Sequence, residues 1–166
     1  LTYQMDTPQL GRMLAQTGGQ ATTRQIAQAI AQTPLAFDPG DHWNYSLCHD
    51  VLAALIEAAS GQRFGAYLKQ HLFDPIGMSE TGFDLPAQAQ GKLAMQYRYL
   101  EASDEFVPAG YAIAHKLGAN HESGGAGLIS TVRDYALFLR TLANWGQTPD
   151  GARVLQPETI ALWRTP

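Results

Sequence analysis

A chain of 166 residues with 45% hydrophobic side chains has the length of one ordinary domain and enough apolar material to bury a sizeable core. Its 11 Lys+Arg against 15 Asp+Glu give a formal net charge of −4 without any basic cluster, which argues against a nucleic-acid partner. The single cysteine, Cys48, excludes an internal disulfide and a cysteine-based zinc site, and no stretch approaches the roughly 18 consecutive apolar residues of a membrane-spanning helix. Cys48 falls inside a predicted helix and reads as a small core residue; one thiol does not fix a compartment.

In chain order, the first predicted helix runs from Thr7 to Gln16, with Thr7 as N-cap, Pro8 at the first helical position and Gly18-Gly19 as its stop. A second spans Thr23 to Gln32, with Ile26 and Ile30 on one face and Thr33-Pro34 ending it. The third, Leu47 to Ala59, presents Val51, Leu52, Leu55 and Ile56. The fourth, Arg63 to Phe73, carries Phe64, Tyr67, Leu68 and Leu72 and stops at Asp74-Pro75. The stretch 93–99 alternates imperfectly with period two and reads as a strand; Ser103-Asp104 forms a turn, and Glu105-Phe106-Val107 returns until Pro108 ends it. From Gly110 to Gly127 no period is visible, which predicts an irregular loop. The fifth helix starts at Ser130 or Thr131 and presents Tyr135, Phe138, Leu139 and Leu142. The last opens at Gln156-Pro157-Glu158 and shows Ile160 and Trp163. The pattern is mainly α with one small β-hairpin.

The segment Phe37-Asp38-Pro39-Gly40-Asp41-His42-Trp43-Asn44-Tyr45-Ser46-Leu47 carries the strongest chemical signal, because a Pro-Gly turn delivers a tyrosine to the start of a helix. A phenol titrates near pH ~10 in water, so general-base work at neutral pH needs surroundings that favour the phenolate. A helix N-terminus supplies part of that and a neighbouring ammonium can supply more. Alone, Tyr45 reads as a turn anchor; its neighbours favour a general base.

Other candidates are weaker. The histidines at 42, 49, 71, 115 and 121 form no close metal-ligand spacing, so neither a metal nor another cofactor is expected; His71 reads as a surface residue of an amphipathic helix. His121-Glu122-Ser123-Gly124-Gly125 has the outline of a nucleophile elbow, but no strand precedes it and no helix follows directly, so it reads as a flexible Gly-rich connection. Gly124-Gly125-Ala126-Gly127 lacks the Gly-Lys-Ser/Thr of a phosphate loop. A Ser-x-x-Lys pair would let an amine activate a hydroxyl one helical turn away, but Lys69, Lys92 and Lys116 are preceded at that distance by Ala66, Ala89 and Ile113. There is no Lys-Thr-Gly triplet either.

Several segments, in order, resemble the serine β-lactamase and penicillin-binding-protein superfamily, in its class C and family VIII carboxylesterase branch. Leu1-Thr2-Tyr3 is similar to the continuation of a His-Thr-Ser-Gly segment, and Phe37 to Leu47 to the stretch with the family's Tyr motif. Asp50-Val51-Leu52, Ile56-Glu57 and Ser60-Gly61-Gln62 resemble the helix that follows it. Phe73-Asp74-Pro75-Ile76-Gly77-Met78 with Thr81-Gly82-Phe83, and then Gly124 to Tyr135, resemble two further signatures.

The resemblance implies an acyl-enzyme hydrolase whose active site lies between an α/β domain and a mainly helical one. Its nucleophilic Ser-x-x-Lys lies upstream of the His-Thr-Ser-Gly segment and its Lys-Thr-Gly motif downstream of the last helix. Residues 1–166 are therefore expected to be the helical middle part of such a domain, with both ends looking like cuts through a longer protein and the remainder packing against it. Only Tyr45 carries over as a catalytic residue. β-Lactamases usually have Tyr-x-Asn there, and Leu47 in the third position resembles the carboxylesterase branch. The expected partner is a small ester or β-lactam-like substrate. A β-lactamase or a D-Ala-D-Ala peptidase is the alternative enzyme, and a non-catalytic helical binding module the alternative of another class.

Overall fold

In the computed structural model, residues 7–84, 87–110 and 119–165 are described. The architecture is mainly helical with a single two-stranded antiparallel sheet among the described residues. Backbone contacts divide the chain into a first unit, residues 1–51 with 84–127, and a second, residues 52–83 with 128–166.

The first unit holds α1 (Pro8–Gln16), α2 (Thr23–Ala31), the start of α3 (Cys48–Ser60) and the hairpin. Thr7 caps α1 by accepting from Leu10 N–H, with Pro8 inside the first turn. Thr22 and Gln25 form a reciprocal capping box on α2. Such caps each stabilise by about 1 kcal/mol, so short helices here are fixed at their ends as well as by packing. Leu10, Ala21, Ile26, Ala29, Ile30 and Leu47 form the core, with Met13, Leu14 and Val51 packed against it.

The hairpin pairs β1 (Gln96–Leu100) with β2 (Glu105–Gly110). Pro108 does not end the return strand, as expected from its missing N–H; it lies opposite Tyr97. In a two-stranded sheet both strands are edges, and the register shift between Gln96 and Tyr97 places the proline beside an irregularity, where it is tolerated. Tyr99 and Phe106 face each other across the strands with ring centroids 5.1 Å apart.

The second unit contains the rest of α3, then α4 (Phe64–Leu68), a π-helical turn (Lys69–Phe73), α5 (Asp74–Ile76), α6 (Val132–Ala143) and α7 (Pro157–Trp163). The fourth helical run passes the expected stop at Asp74-Pro75 and continues to Ile76. A proline ring inside an α-helix collides with the carbonyl four residues back. Here Asp74 N–H reaches Lys69 C=O in the wider π pattern, which accommodates the ring, and Lys69 pairs with Asp74 across the turn. Gly77, at φ 84°, then closes the run, with Met78 N–H on Phe73 C=O and Gly77 N–H on Asp74 C=O. Phe73, Ile76 and Met78 form this unit's core, supported by Leu68, Leu72, Leu137, Phe138 and Val154.

Two helices bury a different face from the one their apolar residues suggest. On α3 the buried positions after Leu47 are Asp50, Ala53, Ala54 and Glu57, while Leu52 and Leu55 are exposed. On α6 Asp134 and Thr141 are buried, and Val132, Tyr135 and Leu139 are exposed. The buried acids have partners. Glu57 Oε1 accepts from Phe64 N–H at 3.0 Å, and Asp134 Oδ2 accepts from Glu80 N–H at 2.8 Å and Thr81 Oγ1 at 2.9 Å. Cys48, read as a core residue, is exposed, because the first turn of α3 turns Leu47 and Asp50 inward instead.

Candidate active site

The approach to α3 is built by a turn and an anchor. Asp41 N–H donates to Asp38 C=O at 3.1 Å, Gly40 takes φ 101°, and the Phe37 and His42 rings meet edge to face at 5.3 Å. Only a residue without Cβ adopts that φ freely, which explains the glycine. Tyr45 follows, 64% exposed, immediately ahead of Ser46 and the buried Leu47. Ser46 Oγ accepts from Cys48 N–H at 3.3 Å, and Leu47 C=O receives Asp50 N–H and Val51 N–H. Tyr45 thus stands on the exposed side of a helix entry whose backbone is fixed by a core leucine.

The first turn of α3 carries a second feature that the sequence reading did not find. Asp50 Oδ1 accepts from Ser123 Oγ at 2.7 Å and lies 3.1 Å from His121 Nε2. All three side chains are buried. Burial alone would raise the Asp50 pKa. The hydrogen bonds from His121 and Ser123, the charge on His121 and the Gly124 N–H outweigh it, and the carboxyl is held below its ordinary range. Its place in the first turn of a 13-residue helix also suits a negative charge.

The loop bearing His121 and Ser123 is correspondingly ordered, not a flexible connection. Ser123 Oγ accepts from Gly125 N–H and Ala126 N–H, both at 3.1 Å. Glu122 is tied to the start of α2 through both its backbone groups: Thr23 Oγ1 donates to its C=O at 3.1 Å and accepts its N–H at 2.9 Å. Asn120 Nδ2 donates to Gln20 C=O at 3.2 Å. The loop therefore joins the starts of α2 and α3.

This Ser-His-Asp set cannot work as a catalytic triad. In a triad the imidazole lies between serine and carboxylate and takes the serine proton. Here the carboxylate lies between the other two, the serine proton is given to Asp50, and a carboxyl held below its usual range is a weak base for a hydroxyl. The nucleophile-elbow outline is thus a hydrogen-bonded turn. One signal for it was present: Asp50 falls on the same helical stripe as Leu47, Ala54 and Glu57, and an acid on a buried stripe requires a partner.

Among the described residues, no group of His, Cys, Asp and Glu could hold a metal ion. His42, His49 and His71 are exposed, the last with its ring 4.4 Å from Tyr67, and residue 115 lies outside the described residues.

Comparison with known proteins decides the family. The sequence profile described as Beta-lactamase matches residues 1–165. The chain belongs to the β-lactamase family. Protein Rv1367c of Mycobacterium tuberculosis is 36% identical over 137 residues, covering 82% of this chain and 34% of that protein. Esterase EstB of Burkholderia gladioli is 31% identical over 137 residues, covering 73% of this chain and 34% of the esterase. Among solved structures, EstCE1, described as a hydrolase with promiscuous acyltransferase activity, superimposes with a TM-score of 0.74 at 27% identity over 99% of this chain and 47% of its own. The chain spans about a third of the length of the curated relatives it matches. The mainly helical reading and the β-lactamase-like resemblance are borne out.

Proposed function

We propose that this β-lactamase-family chain is the helical middle part of a longer serine hydrolase that acts through an acyl-enzyme on small carboxylic esters. The observation that carries the reading is Leu47. In the β-lactamase pattern an amide side chain two residues after the tyrosine contacts the substrate amide. Here that position is a leucine, 3% exposed, whose side chain belongs to the core. A leucine cannot donate a hydrogen bond to a substrate amide, which a simple ester lacks, and the similarity to EstB supports the same choice.

Tyr45 is the general base in this proposal. It takes the proton of a nucleophilic serine, supplied by a Ser-x-x-Lys segment outside these residues, during acylation. It then positions or activates the deacylating water. The exposed apolar side chains of Leu52, Leu55, Val132, Tyr135 and Leu139 support a further part of the protein packing over α3 and α6.

The test compares kcat/KM of the full-length enzyme for p-nitrophenyl butyrate and nitrocefin. A clear preference for the ester is expected. A preference for nitrocefin refutes the esterase reading in favour of a β-lactamase, turnover of a D-Ala-D-Ala peptide alone points to a peptidase, and inertness towards all of these and a fluorophosphonate probe leaves a non-catalytic module. The 166-residue polypeptide by itself is expected to hydrolyse neither p-nitrophenyl acetate nor nitrocefin.

A further inference from the structure

Asp50, His121 and Ser123 are not used by the proposed chemistry, yet they bury a carboxylate and an imidazole. Burying a carboxylate is costly unless donors surround it. Asp50 receives Ser123 Oγ and Gly124 N–H and pairs with His121, and no buried side-chain polar atom among the described residues lacks a partner.

The location gives the cluster its meaning. Asp50 N–H and Val51 N–H donate to Leu47 C=O, so the carboxylate is attached to the turn that fixes the backbone just after Tyr45. Leu47 holds the inner side of that turn in the core, and the 121–126 loop holds its end through Asp50. The loop lies close: a Cβ on Gly125 would be 3.7 Å from both Asp50 Oδ2 and His49 Cβ. The loop is fastened independently to the start of α2 through Thr23 and Asn120. Two anchors, one apolar and one hydrogen-bonded, thus hold the helix entry that follows Tyr45.

We propose that Asp50, clamped by Ser123 and His121, is a positioning residue for Tyr45: it fixes the helix entry so that the phenol is held in place for proton transfer. The inference rests on the general-base reading of Tyr45. Positioning of this kind has a kinetic signature. A displacement of about 1 Å at a reacting group costs on the order of 10²-fold in rate, and the loss falls on kcat when the group acts in the chemical step.

The experiment is a double-mutant cycle in the full-length enzyme with p-nitrophenyl butyrate. Asp50→Asn and Ser123→Ala are each made in the wild-type and Tyr45→Phe backgrounds. Asp50→Asn keeps the shape and removes the charge; Ser123→Ala keeps the Asp50–His121 pair and serves if the first variant does not fold. With Tyr45 present, each substitution is expected to lower kcat by about tenfold to a hundredfold with KM nearly unchanged. In the Tyr45→Phe background neither should lower kcat further, because the group being positioned is gone. A purely structural role produces equal losses in both backgrounds, and that result overturns the inference while leaving Tyr45 as the base. Unchanged kcat in the wild-type background overturns it as well. If Tyr45→Phe alone stays within about threefold of wild type, the general-base reading itself fails.

Discussion

Ser123 donates its hydroxyl proton to Asp50 Oδ1 at 2.7 Å while its oxygen accepts the amide protons of Gly125 and Ala126 at 3.1 Å. One small side chain thus completes both a buried carboxylate and the turn that carries it. Ser123→Ala removes all three bonds and strands a charged acceptor with one donor fewer. Leaving a buried group unsatisfied costs about 1–3 kcal/mol. Urea unfolding of the full-length protein should show a loss of that size, whereas Ser46→Ala, at a half-buried position with one 3.3 Å backbone bond, should show less.

The same carboxylate makes an acid-stability prediction with a definite sign. Asp50 is held below the ordinary value of 3.8 in the folded protein, although burial opposes this, by His121, Ser123 and Gly124. In the unfolded chain it titrates at its ordinary value, so between the two pKa values the unfolded state binds more protons and stability rises with pH. The stabilisation is fully present above about pH 4 and is lost as pH falls through the folded value. The stability difference between wild type and Asp50→Asn, followed by urea unfolding, should therefore shrink as pH falls below about 4. A difference that grows on acidification contradicts the assignment.

The turn after α6 offers a test of backbone geometry. Gly146 has φ 82°, its N–H donates to Thr141 C=O, and its own C=O accepts from Val154 and Leu155. A Cβ there would lie 2.2 Å from the Leu155 carbonyl oxygen, which is backbone and cannot swing aside. At Gly19, with φ 76°, a Cβ meets nothing within 4 Å. Gly19→Ala therefore carries only the left-handed backbone cost of about 1 kcal/mol, while Gly146→Ala adds a collision and should lower the melting temperature several times more. Equal shifts for the two variants refute the close approach.

Elements with local signals were legible in the sequence. Thr7-Pro8 names the start of α1 because capping is settled within a few residues, and Thr131 does the same for α6. The helical faces were not legible in the same way. Counting apolar residues on α3 selected Leu52 and Leu55, but which stripe is buried depends on what covers it: Asp50 found a donor in a distant loop, and Glu57 one at the start of α4. The π turn ahead of Pro75 also escaped notice, since a proline reads as a stop unless the hydrogen-bond pattern before it widens. Of the candidate site, the Tyr45 segment is contiguous and readable. The Asp50–Ser123 pair spans 73 positions and joins two segments that share no period.

The clearest test of why this chain departs from the β-lactamase pattern is to restore the missing amide. Leu47 packs with Leu10, Ala21, Ile26, Ala29 and Ile30, with Val51 alongside. Leu47→Asn removes a buried aliphatic side chain, a change that for leucine truncations costs about 2–5 kcal/mol. It also places an amide where the surrounding side chains offer no hydrogen-bond partner, which adds to the loss. Nitrocefin hydrolysis by the full-length variant should not rise, because the inward orientation of this position sends the amide into the core. Thermal unfolding and nitrocefin kinetics on the same preparation decide the matter. A variant that melts like wild type and gains β-lactam turnover would show that residue 47 faces the substrate.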